Sequence, residues 1–174
     1  MTLLKHVTRQ GFLAYVLALA VLVLDQLSKA WVLYGLRLQH EGQKLELSPI
    51  FDLTMVHNRG MSFGLGSGQG DLARWGFSIF AIGVAIAVGW WARRVDKPLL
   101  AWSLGLLMGG AVGNVIDRIR FGYVVDFLDF SGLYFKWVFN VADSAITVGA
   151  VLLLIEAFWP AVRERLESAR VRGN

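Results

Sequence analysis

Four stretches of this chain are too long and too apolar to rest on an aqueous surface. Leu72–Ala92, Leu99–Ile116 and Phe139–Trp159 each come close to the roughly 20 residues needed to cross a hydrocarbon core. A fourth runs unbroken from Gly11 to Leu24 and continues past a polar interruption, DQLSK, to about Leu36. Lipid offers no partner for backbone N–H or C=O groups, so such spans must be helical. The expected fold is a mainly α integral-membrane bundle of four helices with a small extracytoplasmic β-sheet, one domain over residues 1–174. The helices are expected at about 11–36, 72–92, 99–118 and 139–160, and the outer loops at about 37–71 and 119–138. Composition agrees: 17% of residues are charged, against about 25% in ordinary soluble domains.

Basic residues set the expected orientation. Lys5, Arg9, Arg93, Arg94, Lys97, Arg163, Arg165, Arg170 and Arg172 are nine of the 17 lysines and arginines, and they crowd one side of a four-span topology. Both termini are therefore expected in the cytoplasm, in a multi-pass membrane protein. Lys5 and Arg9 before an apolar run with Ala18-Leu19-Ala20 also suit a cleaved leader. The run continues beyond that point and three spans follow, so it is read as a transmembrane helix. The net charge of +4 then reflects orientation, and no nucleic-acid partner is expected. There is no cysteine, which excludes a thiol nucleophile, disulfides and thiolate metal sites. His6, His40 and His57 are scattered with no HExxH, so neither a metal nor another cofactor is expected.

The first outer loop opens with LRLQHEGQKLEL, whose alternation around Gly42 predicts two short strands. The second, VVDFLDF-SG-LYFKWVF, predicts a hairpin turning at Ser131-Gly132. Trp137, Tyr123 and Tyr134 suit a membrane interface. Arg163–Asn174 reads as a short charged tail. In the third span, Gly105, Gly109 and Gly113 form a small-residue face for a neighbouring helix. That row continues to Asp117, and the adjacent row runs Gly110, Asn114, Arg118. Three polar groups in five residues exceed what helix packing requires.

Two acids stand where charge is costly. Asp143 is the fifth residue of the last apolar run, ~6 Å below its start, and Asp126 lies in the second outer loop. An N-cap role for Asp143 is the plain alternative. If the loop folds back over the last helix, the two carboxylates cannot both ionise cheaply and share a proton. Such a pair splits the roles of acid and base in peptide hydrolysis. Asp129 is the competing partner, but it lies three residues from Asp126, on the opposite strand face. Asn140, one turn before Asp143, is expected to bond its carboxylate. Asp25 and Lys29 are spaced as a favourable i,i+4 helix pair. Glu156 is expected at an interface.

The motifs LDQLSK (24–29), HNRGMSFG (57–64), GGAVGNVIDRI (109–119), VVDF (124–127) and FNVADSAITVG (139–149) together resemble the bacterial lipoprotein signal peptidases, signal peptidase II. The resemblance spans most of the chain. It implies an aspartic endopeptidase that removes signal peptides from prolipoproteins, cutting before a diacylglyceryl-modified cysteine. It makes Asp126 and Asp143 the catalytic dyad, near the outer leaflet. Asn58, Asn114, Arg118 and Asn140 match positions that bind substrate or support the dyad, and Asp25, Lys29 and Asp117 match structural polar positions. It also implies an extracytoplasmic β-cradle, inhibition by globomycin-type cyclic peptides, membrane lipids as surroundings and a monomeric protein. The chain departs from the family at Met61-Ser62, where an Ala pair is usual.

Two rivals remain. GMSFG fits G-x-S-x-G, but it lies in an outer loop with no histidine after His57 to serve as base. A proton-coupled transporter subunit relaying through Asp25, Asp143 and Glu156 is the alternative from another class. Helices two and three carry no acid at mid-depth to continue such a relay.

Overall fold

The computed structural model describes residues 7–60 and 70–172. Four helices make the bundle: α1 (Arg9–Ala30), α2 (Gly70–Ala92), α3 (Pro98–Phe121) and α4 (Val141–Arg172). All four include stretches long and apolar enough to span a bilayer. The first and last helices differ from the expected extents. After α1 the helix widens into a π turn over Trp31–Gly35, so the first span is continuous to Gly35. The last helix does not stop at 160. The segment expected as a charged tail stays helical to Arg172, as its Arg, Glu, Leu and Ala residues favour.

Helix α3 is the axis of the bundle because its two rows of small residues let two neighbours approach. A Cβ on Gly109 would lie 2.5 Å from the Ala18 carbonyl oxygen of α1. A Cβ on Gly110 would lie 2.5 Å from the Ala142 carbonyl oxygen of α4. The first row therefore faces α1 and the second faces α4. Following each row toward the helix end brings Asp117 to α1 and Asn114 to α4, so the small residues set where the polar ones meet their partners. Helix α2 is peripheral, and Ile79, Phe80, Ile86 and Trp90 are exposed.

Four antiparallel strands form one sheet in the order β1 (Lys44–Glu46), β2 (Asp52–Asn58), β3 (Val124–Asp129), β4 (Val138–Phe139). One face packs Leu53, Met55, Val125 and Phe127 onto Val32 and Leu33 at the end of the first span. Side chains alternate along a strand, so Asp126 points the other way, toward the helices. The expected pair of strands around Gly42 is corrected. Only Lys44–Glu46 is a strand there, and its partner is β2, beyond a turn at 47–51. The second loop does return antiparallel, but its return strand is two residues long and a 3-10 turn occupies Ser131–Leu133. Tyr134 and Trp137 are exposed as an interface would require. Tyr123 instead stacks on His57 at 4.0 Å between ring centroids.

The close approach of α3 and α4 yields a prediction. Gly110→Ala would drive a methyl group against a backbone carbonyl that cannot yield, costing about 1–3 kcal/mol. Gly83→Ala on α2 meets nothing within 4 Å and should leave stability unchanged or slightly raised. Thermal unfolding of both variants in detergent should separate them; equal midpoints would contradict this account of the bundle.

Candidate active site

The site is built at the end of the bundle that carries the sheet, where α4 begins. Asn140 caps that helix: its Oδ1 accepts from the Asp143 backbone N–H at 2.8 Å, and its carbonyl accepts from Ser144 N–H at 3.1 Å. The N-cap reading of Asp143 is thereby corrected, because the cap belongs to Asn140. The expectation for Asn140 is corrected as well. Its Nδ2 donates to the carboxylate of Asp126 at 2.7 Å, with longer contacts to the Asn114 Oδ1 and the Val125 carbonyl. One buried amide thus fixes the backbone of one acid and the carboxyl of the other.

Two further amides complete the frame. Asn114 Nδ2 donates to Asp143 Oδ1 at 2.7 Å. Asn58 Nδ2 donates to Asp126 Oδ2 at 2.9 Å, and its own Oδ1 accepts from Gly60 N–H at 2.9 Å. Asp126 is 1% exposed. Burial, then the charge of Asp143, push its carboxyl up to about 7, against the bonds from Asn58 and Asn140 and the Lys29 charge. Asp126 therefore keeps a proton to near neutrality.

Beneath the acids lies a buried ionic cluster. The Lys29 ammonium, 2% exposed, sits 2.8 Å from Asp25 Oδ2 and 2.7 Å from Asp117 Oδ2, and it donates to Asn114 Oδ1 at 3.3 Å. The i,i+4 pair expected from sequence is present. Its second carboxylate, Asp117, comes from the facing helix, and Gln26 Nε2 also donates to Asp117 at 3.0 Å. Both carboxylates reach further. Asp25 Oδ1 accepts from Ala142 N–H at 2.9 Å, next to Asp143. Asp117 Oδ2 accepts from Val125 N–H at 3.1 Å, next to Asp126.

The remaining expected residues divide clearly. Arg118 lines a groove of about 270 Å³ with Phe77, Phe80, Ala111, Asn114 and Ile146. Its Nε is buried without a hydrogen-bond partner among the described residues. A second groove, about 290 Å³, is lined by Phe135, Trp137 and Phe139 together with Asp143, Ser144 and Thr147. Asp129 is held away from Asp126 by Thr54 Oγ1 at 2.6 Å and Ser131 N–H at 2.9 Å. Ser28 bonds the Asp25 carbonyl, and Glu156 pairs with Lys97. Met61 and Ser62 lie outside the described residues. Sequence reasoning missed Gln26 and the cross-helix role of Asp117; the only signal was the Gly109–Gly113–Asp117 row pointing at α1.

The chain matches known proteins along most of its length. The family described as signal peptidase (SPase) II matches residues 17–159. A lipoprotein signal peptidase of Caulobacter vibrioides is 52% identical over 153 residues, covering 87% of this chain and 90% of that protein. One from Methylorubrum extorquens is 42% identical over 167 residues, 95% of this chain and 94% of its own. A solved bacterial membrane enzyme superposes with a TM-score of 0.71 at 29% identity, covering 85% of this chain and 88% of that one.

The ionic cluster gives the second prediction. Lys29→Met strands two buried carboxylates without a counter-charge and should cost about 3–5 kcal/mol. A large fall in the thermal midpoint in detergent is expected; an unchanged midpoint would show that the cluster bears no structural weight.

Proposed function

The chain belongs to the signal peptidase II family, and from that premise we propose that Asp126 and Asp143 are its catalytic dyad. The protein is an aspartic peptidase of the bacterial inner membrane that removes signal peptides from prolipoproteins. The observation carrying the dyad is the shared frame. Asn140 holds Asp126, Asn114 holds Asp143, and the two amides contact each other at 3.2 Å.

In this reading Asp143, as carboxylate, takes a proton from a water placed between the acids, and the hydroxide attacks the scissile carbonyl. Asp126, as neutral acid, donates its proton to the carbonyl oxygen, giving a tetrahedral diol. Collapse breaks the C–N bond: the diol returns a proton to Asp126, and Asp143 passes its proton to the leaving amine. Both acids end as they began. Arg118, a fork of donors with a free buried N–H, binds a substrate carbonyl, while Asn58 and Asn140 keep Asp126 oriented.

The substrate in this proposal carries a diacylglyceryl group on the cysteine after the cut, anchored in the outer leaflet. That anchor supports a site at headgroup depth, with both termini in the cytoplasm. Globomycin-type peptides would occupy the same site, and one protomer carries the whole of it.

Asp126→Asn and Asp143→Asn should each lower cleavage of a purified diacylglyceryl prolipoprotein by at least about a thousandfold while remaining folded in detergent. Wild-type turnover should stop with globomycin. Robust cleavage by either variant would exclude the dyad.

A further inference from the structure

A helix that mostly faces lipid makes an unexpected set of contacts at its outer end. Arg74 of α2 donates from Nε to the Arg118 carbonyl at 2.7 Å and from Nη2 to the Ile119 carbonyl at 3.0 Å. Those carbonyls belong to the last turn of α3, and that of Arg118 also accepts from the capping Gly122 N–H at 3.1 Å. Arg74 thus bolts the end of α2 to the end of α3. One turn on, the Phe77 ring edge fills the space beside Gly60: a Cβ there would lie 2.9 Å from Cε2 and 3.0 Å from Cδ2. Gly60 has φ +68°, the left-handed conformation that glycine adopts freely. In that conformation its N–H bonds the Asn58 Oδ1.

This contact decides which way Asn58 faces. An amide has an acceptor end and a donor end. With the acceptor held by Gly60, the donor is presented to Asp126 Oδ2 at 2.9 Å. Phe77 also lies under the Arg118 guanidinium, 5.8 Å from its ring centroid, within the range of a cation–π contact.

We propose that Phe77 is a positioning residue of the active site: it locks Gly60, and through it Asn58, against Asp126, and it gives Arg118 its resting place. Arg74 anchors the helix that presents it. The inference rests on the reading of Asp126 as a catalytic acid. Phe77 acts on the dyad through the residues it holds.

The bond from Asn58 favours the ionised form of Asp126. The charged groups around Asp126 are Asp143 on α4, Lys29 on α1 and Arg118 on α3, and Phe77→Ala leaves those charges in place. Loss of the Asn58 bond therefore raises the pH at which Asp126 surrenders its proton. As the proton donor, Asp126 governs the basic limb of the rate profile.

The test compares kcat against pH for wild type, Phe77→Ala, Phe77→Leu, Asn58→Ala and the Phe77→Ala/Asn58→Ala pair on a diacylglyceryl prolipoprotein. Phe77→Ala should lower kcat about tenfold or more and move the basic limb to higher pH, as Asn58→Ala does. The double variant should lose little beyond Asn58→Ala, and Phe77→Leu, which keeps an apolar branch against Gly60, should return toward wild type. Should Phe77→Ala not fold, Gly60→Ala, whose methyl collides with the ring, is read in the same way. A wild-type basic limb, or losses that multiply in the double variant, would overturn the proposal. Asp126→Asn serves as the control: if it still cleaves, the dyad reading itself has failed; if it is dead while Phe77→Ala is normal, only the positioning role is wrong.

Discussion

One buried ammonium organises the end of the bundle that carries the sheet. Lys29 lies between two carboxylates from different helices, Asp25 and Asp117, and touches Asn114 on the second of them. Removing three such charges from water is expensive, and the structure recovers that cost through bonds that lead outward. The other oxygen of Asp25 takes the N–H of Ala142, and Asp117 takes the N–H of Val125. Each catalytic candidate is the next residue along the chain. The positions of Asp126 and Asp143 are therefore set by their own backbone neighbours, tied to a common cation.

The amides do what ions would do badly. Asn58, Asn114 and Asn140 orient the two carboxyls without adding charge, so burial and the neighbouring Asp143 are the main causes that raise the Asp126 carboxyl. A lysine or arginine bonded directly to Asp126 would hold it ionised and remove the proton that the proposed mechanism needs. Lys29 lies within electrostatic reach of Asp126, but its hydrogen bonds go to Asp25 and Asn114. Arg118 is likewise kept at the groove wall beside Phe77. Charge sits beside the proposed dyad, and neutral donors sit on it.

The spans were legible because lipid leaves helix as the only solution for long apolar runs. The rows Gly109–Gly113–Asp117 and Gly110–Asn114–Arg118 were legible as packing faces, since period 3.6 fixes which side chains share a side. The Asp25–Lys29 pair was local and could be read directly. Contacts between distant segments were not. Asn140 bonds Asp126 because β3 crosses above the start of α4, and only strand pairing with β2 makes that crossing. The pattern DLTMVHN of β2 alternates, but a strand covered on one face by the end of the first span leaves a weak signature. Asp117 as a partner of Lys29 depended on how close α3 comes to α1, which the glycines permit but do not specify.

The central claim is that Asp126 retains a proton near neutrality beside Asp143, and infrared spectroscopy reads it most directly. A protonated carboxyl band should be present in wild type at pH 6, disappear as pH rises through about 7, and be missing in Asp126→Asn. If no such band exists at pH 6, or if Asp126→Asn leaves it intact, the two carboxylates do not divide acid and base between them as described.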